Sequence, residues 1–154
     1  MKLSVVAVGR MKERHWREAA EEYIKRLRPY ATLDLIEVTD RDVTRDEARA
    51  LAEEGADVLR AIPDGAHVIA LDVDGTLRSS TDIAERLAAL GLDGRSAVTF
   101  VLGGAAGLSA DVLARADERL SLGRITLPHQ LARVVLLEQV YRAFRIIRNE
   151  PYHR

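Results

Sequence analysis

The chain has 154 residues, 47% of them hydrophobic and 31% charged, with a formal net charge of −1, which is a globular composition sized for one domain over 1–154. It contains no cysteine, which excludes disulfides, thiolate zinc sites and cysteine nucleophiles, and His15, His67, His129 and His153 have no metal-ligand spacing. The start, MKLSVVAVGRMKERHW, becomes charged too soon for a signal peptide, and no apolar run approaches the roughly 18 residues of a bilayer span. A cytoplasmic protein with neither membrane nor metal partner is expected.

KLSVVAVG reads as a first strand, 13–27 as an amphipathic helix ended by Pro29, and TLDLIEVT over 32–39 as an alternating second strand. A helix is expected over 44–61, with Thr44 and Glu47 as its capping box and Pro63-Asp64-Gly65 as the turn beyond it. HVIALD (67–72) and AVTFVLG (97–103) are β-branched and almost continuously apolar, as strands covered on both faces are, and 80–90 between them has helical periodicity. RLSLG (119–123) is a short fifth strand and 128–148 a long final helix with Pro128 in its first turn. The fold class is therefore α/β, an open, mostly parallel sheet with helices on both faces. Ligands of such sheets lie beyond the carboxyl ends of the strands. Three glycine-bearing loops fall there: LDVDG (71–75), LGGAAGLS (102–109) and LSLGRITLPHQ (120–130). A pocket lined by them presents peptide groups rather than charges, which suits a nucleoside.

The charge is unevenly spread. Residues 1–30 hold eight Lys/Arg against four Asp/Glu, 31–123 nine against eighteen, and 124–154 six against two. If the basic ends meet in space they form a positive face for a phosphate-rich partner. DVDGT at 72–76 is also the string in which haloacid-dehalogenase-type phosphatases carry their nucleophile. Here it ends the third strand, no lysine occurs after Lys25, and no acidic pair of the required kind follows, so that chemistry is unsupported. GGAAG is equally misplaced for a dinucleotide fingerprint, which belongs after the first strand.

Taken together, KLSVVAVGR, EYIKRL, LDxxG with Ser79-Ser80 behind it, FVLGGAAGLS and LSLGRITLPHQLARVVLLEQVYRAFRIIRNEPYHR resemble the ribosomal RNA large subunit methyltransferase H family over the whole chain. These are SPOUT-class enzymes that methylate N3 of a pseudouridine in 23S ribosomal RNA. The resemblance implies a C-terminal trefoil knot, a homodimer, 23S ribosomal RNA, within the ribosome, as partner, and S-adenosyl-L-methionine held by Leu71, Gly75, Gly103, Gly104 and the loop Leu122, Gly123, Arg124, Ile125, Thr126 and Leu127. Where the family commonly has GGPEG this chain has GGAAG, so Ala105 and Ala106 replace its Pro and Glu.

Methyl transfer from a sulfonium is an in-line displacement governed by positioning. The acceptor is an imide N–H, which favours a nearby base, and His129 and His153 are the titratable candidates. His129 is equally suited to bonding at a helix entry. In the tail, Tyr152 can stack on a splayed base and Arg154 can pair with a phosphate, while Arg142 offers a third contact or an ordinary ion pair with Glu138. The apolar residues of the last helix cover more than one stripe, which calls for a second buried face, in a dimer or within the chain. A non-catalytic RNA- or ribosome-binding protein of the same fold is the competing reading.

Overall fold

β1 (Lys2–Val8) is the centre about which the protein is built, and its side chains explain the layering. Leu3, Val5 and Ala7 point into one core and Val6 and Val8 into another, all of them buried. This period-2 division of a largely apolar strand requires cover on both faces. In the computed structural model, which describes residues 1–152, the cover comes from α1 (Arg14–Leu27), α2 (Glu47–Ala61), α3 (Ser80–Leu92), α4 (Ala110–Arg115) and α5 (His129–Ile147). The other strands are β2 (Thr32–Val38), β3 (His67–Leu77), β4 (Ala97–Leu102) and β5 (Glu118–Ser121). All pair in parallel in the order β2-β1-β4-β3-β5.

The larger core joins one sheet face to α1, α3 and α5 through residues such as Leu27, Leu87, Phe100, Leu136, Leu137 and Val140. The smaller gathers Val58, Val68, Val101 and Val112 beneath α2 and α4. α5 packs against both α1 and α3. The second apolar face expected of it is thus covered largely within the chain, and Leu131, Val134 and Val135 remain half-buried.

Three expectations need correction. Thr44 does not cap α2: its amide and hydroxyl both donate to Asp42, and Asp46 caps instead, accepting from the Arg49 amide. A shorter Asx-type turn outcompetes the box at that point. The full capping box lies at α3, where Ser79 and Asp82 exchange side-chain bonds with each other's amides. β3 continues to Leu77 rather than ending at Asp72, and α4, capped by Ser109, is an element that the sequence reading, which assigns nothing to 110–118, does not contain. The two basic ends do meet: α1 and α5 are neighbours, and Gln130 donates to the Arg10 carbonyl at 3.3 Å.

Candidate functional site

The extension of β3 contains an interruption. Leu71 and Thr76 both stand opposite Leu120 of β5, so Asp72, Val73, Asp74 and Gly75 leave the ladder as a wide bulge. Asp72 folds back to accept the Asp74 amide at 3.1 Å and pairs with Arg119 at 3.6 Å. Gly75 closes the bulge at a point without space for a side chain, since a Cβ there would stand 2.8 Å from the Arg119 carbonyl carbon. Across from it, the Ser121 hydroxyl accepts the Gly123 amide at 3.2 Å and donates to the Gly123 carbonyl at 3.1 Å. That turn holds Gly123 at φ +135°, which favours glycine.

Between bulge and turn lies an open cleft of about 650 Å³ lined by Leu71, Asp72, Val73, Leu120, Leu122, Gly123, Ile125, Thr126, Leu127 and Ala132. It sits at the bulge of β3 and the carboxyl end of β5, toward the sheet edge where parallel sheets hold ligands. Val73 and Ile125 at its margin are 58% and 74% exposed, large apolar side chains left in water beside an apolar floor. A flat, partly apolar ligand would cover them.

Six of the ten expected cofactor residues line this cleft: Leu71, Leu122, Gly123, Ile125, Thr126 and Leu127. The others stand elsewhere. Gly75 borders an adjoining depression with Asp74, Thr76, Arg78, Asp117, Glu118 and Arg119. Arg124 is exposed on the loop outside the lining. Gly103 is required by its own loop, because a Cβ would stand 2.3 Å from the Gly107 carbonyl oxygen, and one on Gly104 would press on Val8 at 3.0 Å.

His129, the first residue of α5, is exposed, and its Nε2 lies 3.9 Å from where a Cβ on Gly9 would stand. One turn on, Arg133 is 1% exposed. It bonds Glu37 at 2.7 Å and donates to the carbonyls of Gly9 at 2.9 Å and Val8 at 3.3 Å, fastening α5 to the end of β1. Burial pushes its guanidinium down from the ordinary arginine value, against the opposing pull of Glu37.

The tail is tied down at the far end of α5. Asn149 adopts φ 53°, and the Glu150 amide donates to the Arg145 carbonyl at 2.8 Å, a left-handed helix ending that turns the chain back. Arg145 also donates to the Pro151 carbonyl at 2.7 Å. Tyr152 then packs edge-on against Tyr141 with centroids 4.9 Å apart, and the Arg142 guanidinium lies 4.6 Å from its ring centre. Glu138 joins the group, accepting from Arg142 at 2.6 Å and from the Tyr152 hydroxyl at 3.0 Å. Burial, then Glu138, pushes the Tyr152 phenol up to about 12. The structure therefore brings Arg142 and Tyr152 together. His153 and Arg154 lie outside the described residues. Arg142 is ten residues beyond Ala132 on α5, about 15 Å along the axis, so the tail group and the cleft are separate within one chain.

A family model described as predicted SPOUT methyltransferase matches residues 1–153. The chain belongs to the SPOUT methyltransferase family. Among relatives named ribosomal RNA large subunit methyltransferase H, those of Listeria monocytogenes serotype 4b (strain CLIP80459), Carboxydothermus hydrogenoformans and Bacillus cytotoxicus are 51%, 49% and 45% identical, each alignment covering 100% of both chains. A solved probable methylase family protein from Haemophilus influenzae has the same fold at a TM-score of 0.60 and 15% identity, covering 99% of this chain and 70% of that one. A structure described as giving insights into the 2-OH methylation of C/U34 on tRNA matches at 0.50 and 20% identity, with 97% and 98% covered.

In this SPOUT family member, sequence reasoning missed Asp72, Val73 and Ala132 as cleft walls, Arg133 as the fastening of α5, and Glu138 as the shared acceptor of Arg142 and Tyr152. The i, i+4 spacing of Glu138 and Arg142 was legible. Nothing in the sequence marks Arg133 among the surface arginines of the same helix.

Proposed function

We propose that this chain is a methyltransferase of large-subunit ribosomal RNA, acting on N3 of a pseudouridine in 23S ribosomal RNA with S-adenosyl-L-methionine as donor, as a homodimer of a single knotted domain over 1–154. The observation that carries the reading is the cleft between the bulge of β3 and the carboxyl end of β5, in a chain 51% identical end to end to a relative named ribosomal RNA large subunit methyltransferase H. The knot is supported by family membership and by the course of residues 122–128. They run from β5 at one edge of the sheet to the end of β1, past the ends of β3 and β4, before α5 settles between α1 and α3.

The cleft fits the donor by chemistry. Its walls offer peptide groups at Gly123 and along 125–127, apolar surface from Leu71, Leu122 and Leu127, and one carboxylate, Asp72, already paired with Arg119 at 3.6 Å. S-adenosyl-L-methionine, when bound, supplies a methyl group already activated on a sulfonium. The chain's part is then to orient donor and acceptor and to exclude water. We assign His129, exposed at the α5 entry three residues before the cleft wall Ala132, as the base that takes the imide proton. Tyr152, Arg142 and, beyond the described residues, His153 and Arg154 hold the RNA. Their separation from the cleft supports a second copy of the chain bringing its tail to the first copy's cleft.

The test is transfer of labelled methyl from S-adenosyl-L-methionine to ribosomes lacking the modification, with EDTA present and calorimetry of the donor alongside. Donor binding and label on a 23S pseudouridine are expected, and removal of residues 152–154 should leave donor affinity intact while cutting transfer by about two orders of magnitude or more. Ribosome binding without donor binding would overturn the reading in favour of a non-catalytic binder.

A further inference from the structure

A further depression, of about 660 Å³, lies at the end of β1 and is lined by Arg10, Met11, Lys12, Arg17 and Glu37. Its electrostatics follow from the partners. Many cations of this chain face a carboxylate: Arg14 pairs with Glu18, Arg26 with Glu22, Arg41 with Asp57, Arg86 with Glu118. Among the described residues, Arg10, Lys12 and Arg17 have no carboxylate within ion-pair distance, and all three are exposed. The single acid in the lining, Glu37, is already engaged. It accepts the Met11 amide at 2.8 Å and is matched by buried Arg133 at 2.7 Å. The depression thus holds three uncommitted positive charges around a neutralised wall.

It also has a fixed relation to the cleft. Ala132 lines the cleft, and its neighbour Arg133 holds the Glu37 wall. Gln130 ties the Arg10 carbonyl to the same first turn of α5. The two depressions therefore flank one helical turn, with His129 at its start. We infer that the Arg10, Lys12 and Arg17 depression is a phosphate-backbone subsite for single-stranded RNA, gripping the strand beside the nucleotide presented to the cleft. The inference rests on the proposed RNA methyl transfer and adds where the substrate is held. Cations without competing carboxylates are what phosphate contacts require, because each replaces condensed counterions on the RNA.

The experiment measures transfer kinetics on unmodified ribosomes, over a series of salt concentrations, for the natural chain and for Arg10→Ala/Lys12→Ala/Arg17→Ala. These side chains are exposed and unpaired, so melting temperature and S-adenosyl-L-methionine affinity should be unchanged, which separates this site from the cleft. The expected result is a KM for ribosomes raised on the order of 10- to 100-fold with kcat preserved at saturation, and a log–log salt slope shallower by about 0.7 for each phosphate no longer neutralised. Arg10→Lys/Arg17→Lys, which retains the charges, should keep most of the activity. Unchanged KM and salt slope in the triple alanine variant would overturn the subsite while leaving the methyl-transfer reading standing. A raised KM with an unchanged salt slope would overturn its assignment to phosphate. A natural chain that transfers no methyl to ribosomes would remove the proposed function, and this inference with it.

Discussion

Glu37→Ala should be among the most damaging single changes available outside the two cores, although Glu37 lies in β2, the strand at the opposite edge of the sheet from β5 and the cleft. The substitution removes the carboxylate that pairs with Arg133 at 2.7 Å and that accepts the Met11 amide at 2.8 Å. Arg133 is 1% exposed and its Nε is without a partner among the described residues, so the guanidinium keeps only the Val8 and Gly9 carbonyls. Leaving a buried charge unpaired costs about 3–5 kcal/mol. For a chain of this length that is a fall in melting temperature of roughly 6–20 °C. Arg133→Met removes charge and cost together, so the double variant should be less destabilised than the sum of the singles by about 1–3 kcal/mol. Urea unfolding of the four proteins at one protein concentration measures this cycle. Additive effects, or a Glu37→Ala cost below about 1 kcal/mol, would refute the claim that Glu37 and the buried Arg133 form a coupled fastening.

Tyr152 should titrate late. Its phenol is pushed up from 10.0 to about 12, first by burial and then by Glu138, so the stability it lends the tail is complete below pH 10 and lost as pH rises through 12. Tyrosinate absorbance should show a late component that Tyr152→Phe removes; its persistence in that variant would refute the assignment. Gly103→Ala should destabilise by about 1–3 kcal/mol, because the new methyl group would meet the Gly107 carbonyl at 2.3 Å and backbone must move. Thermal melting that matches the natural chain would show that the 103–107 turn yields freely.

Most of the architecture was legible because apolar periodicity reports burial directly. The continuous runs at 2–8, 67–72 and 97–102 became the three inner strands of the sheet, and the helices formed within a few residues of their expected limits. α4 escaped because six residues give less than two turns of pattern, and its cap, Ser109, sits behind a glycine-rich loop that reads as irregular. The α2 boundary shifted because Asp42 captured Thr44 locally. For the cleft, the glycine loops gave the region but not the division of labour. A glycine that admits a ligand and one that admits neighbouring backbone look alike in sequence. Here Gly123 lines the cleft, while Gly75 and Gly103 make room for Arg119 and Gly107. The buried arginine and the triad of Glu138, Arg142 and Tyr152 depend on which of several charged residues meet after folding, which periodicity does not encode.

The double pairing of Leu120 has a further consequence for how this fold accommodates change. Residues 72–75 form a loop spliced into a strand whose two flanks are each locked in register to β5, Leu71 on one side and Thr76–Leu77 on the other. Alterations of Asp72 or Val73 therefore reshape one wall of the cleft without transmitting a shift along the sheet, since the ladder beyond the bulge is anchored independently of what the bulge contains. Gly75 is the hinge pin of this insert, held to its identity by the Arg119 backbone. This wall of the cleft is thus the part of β3 that mechanical necessity constrains least.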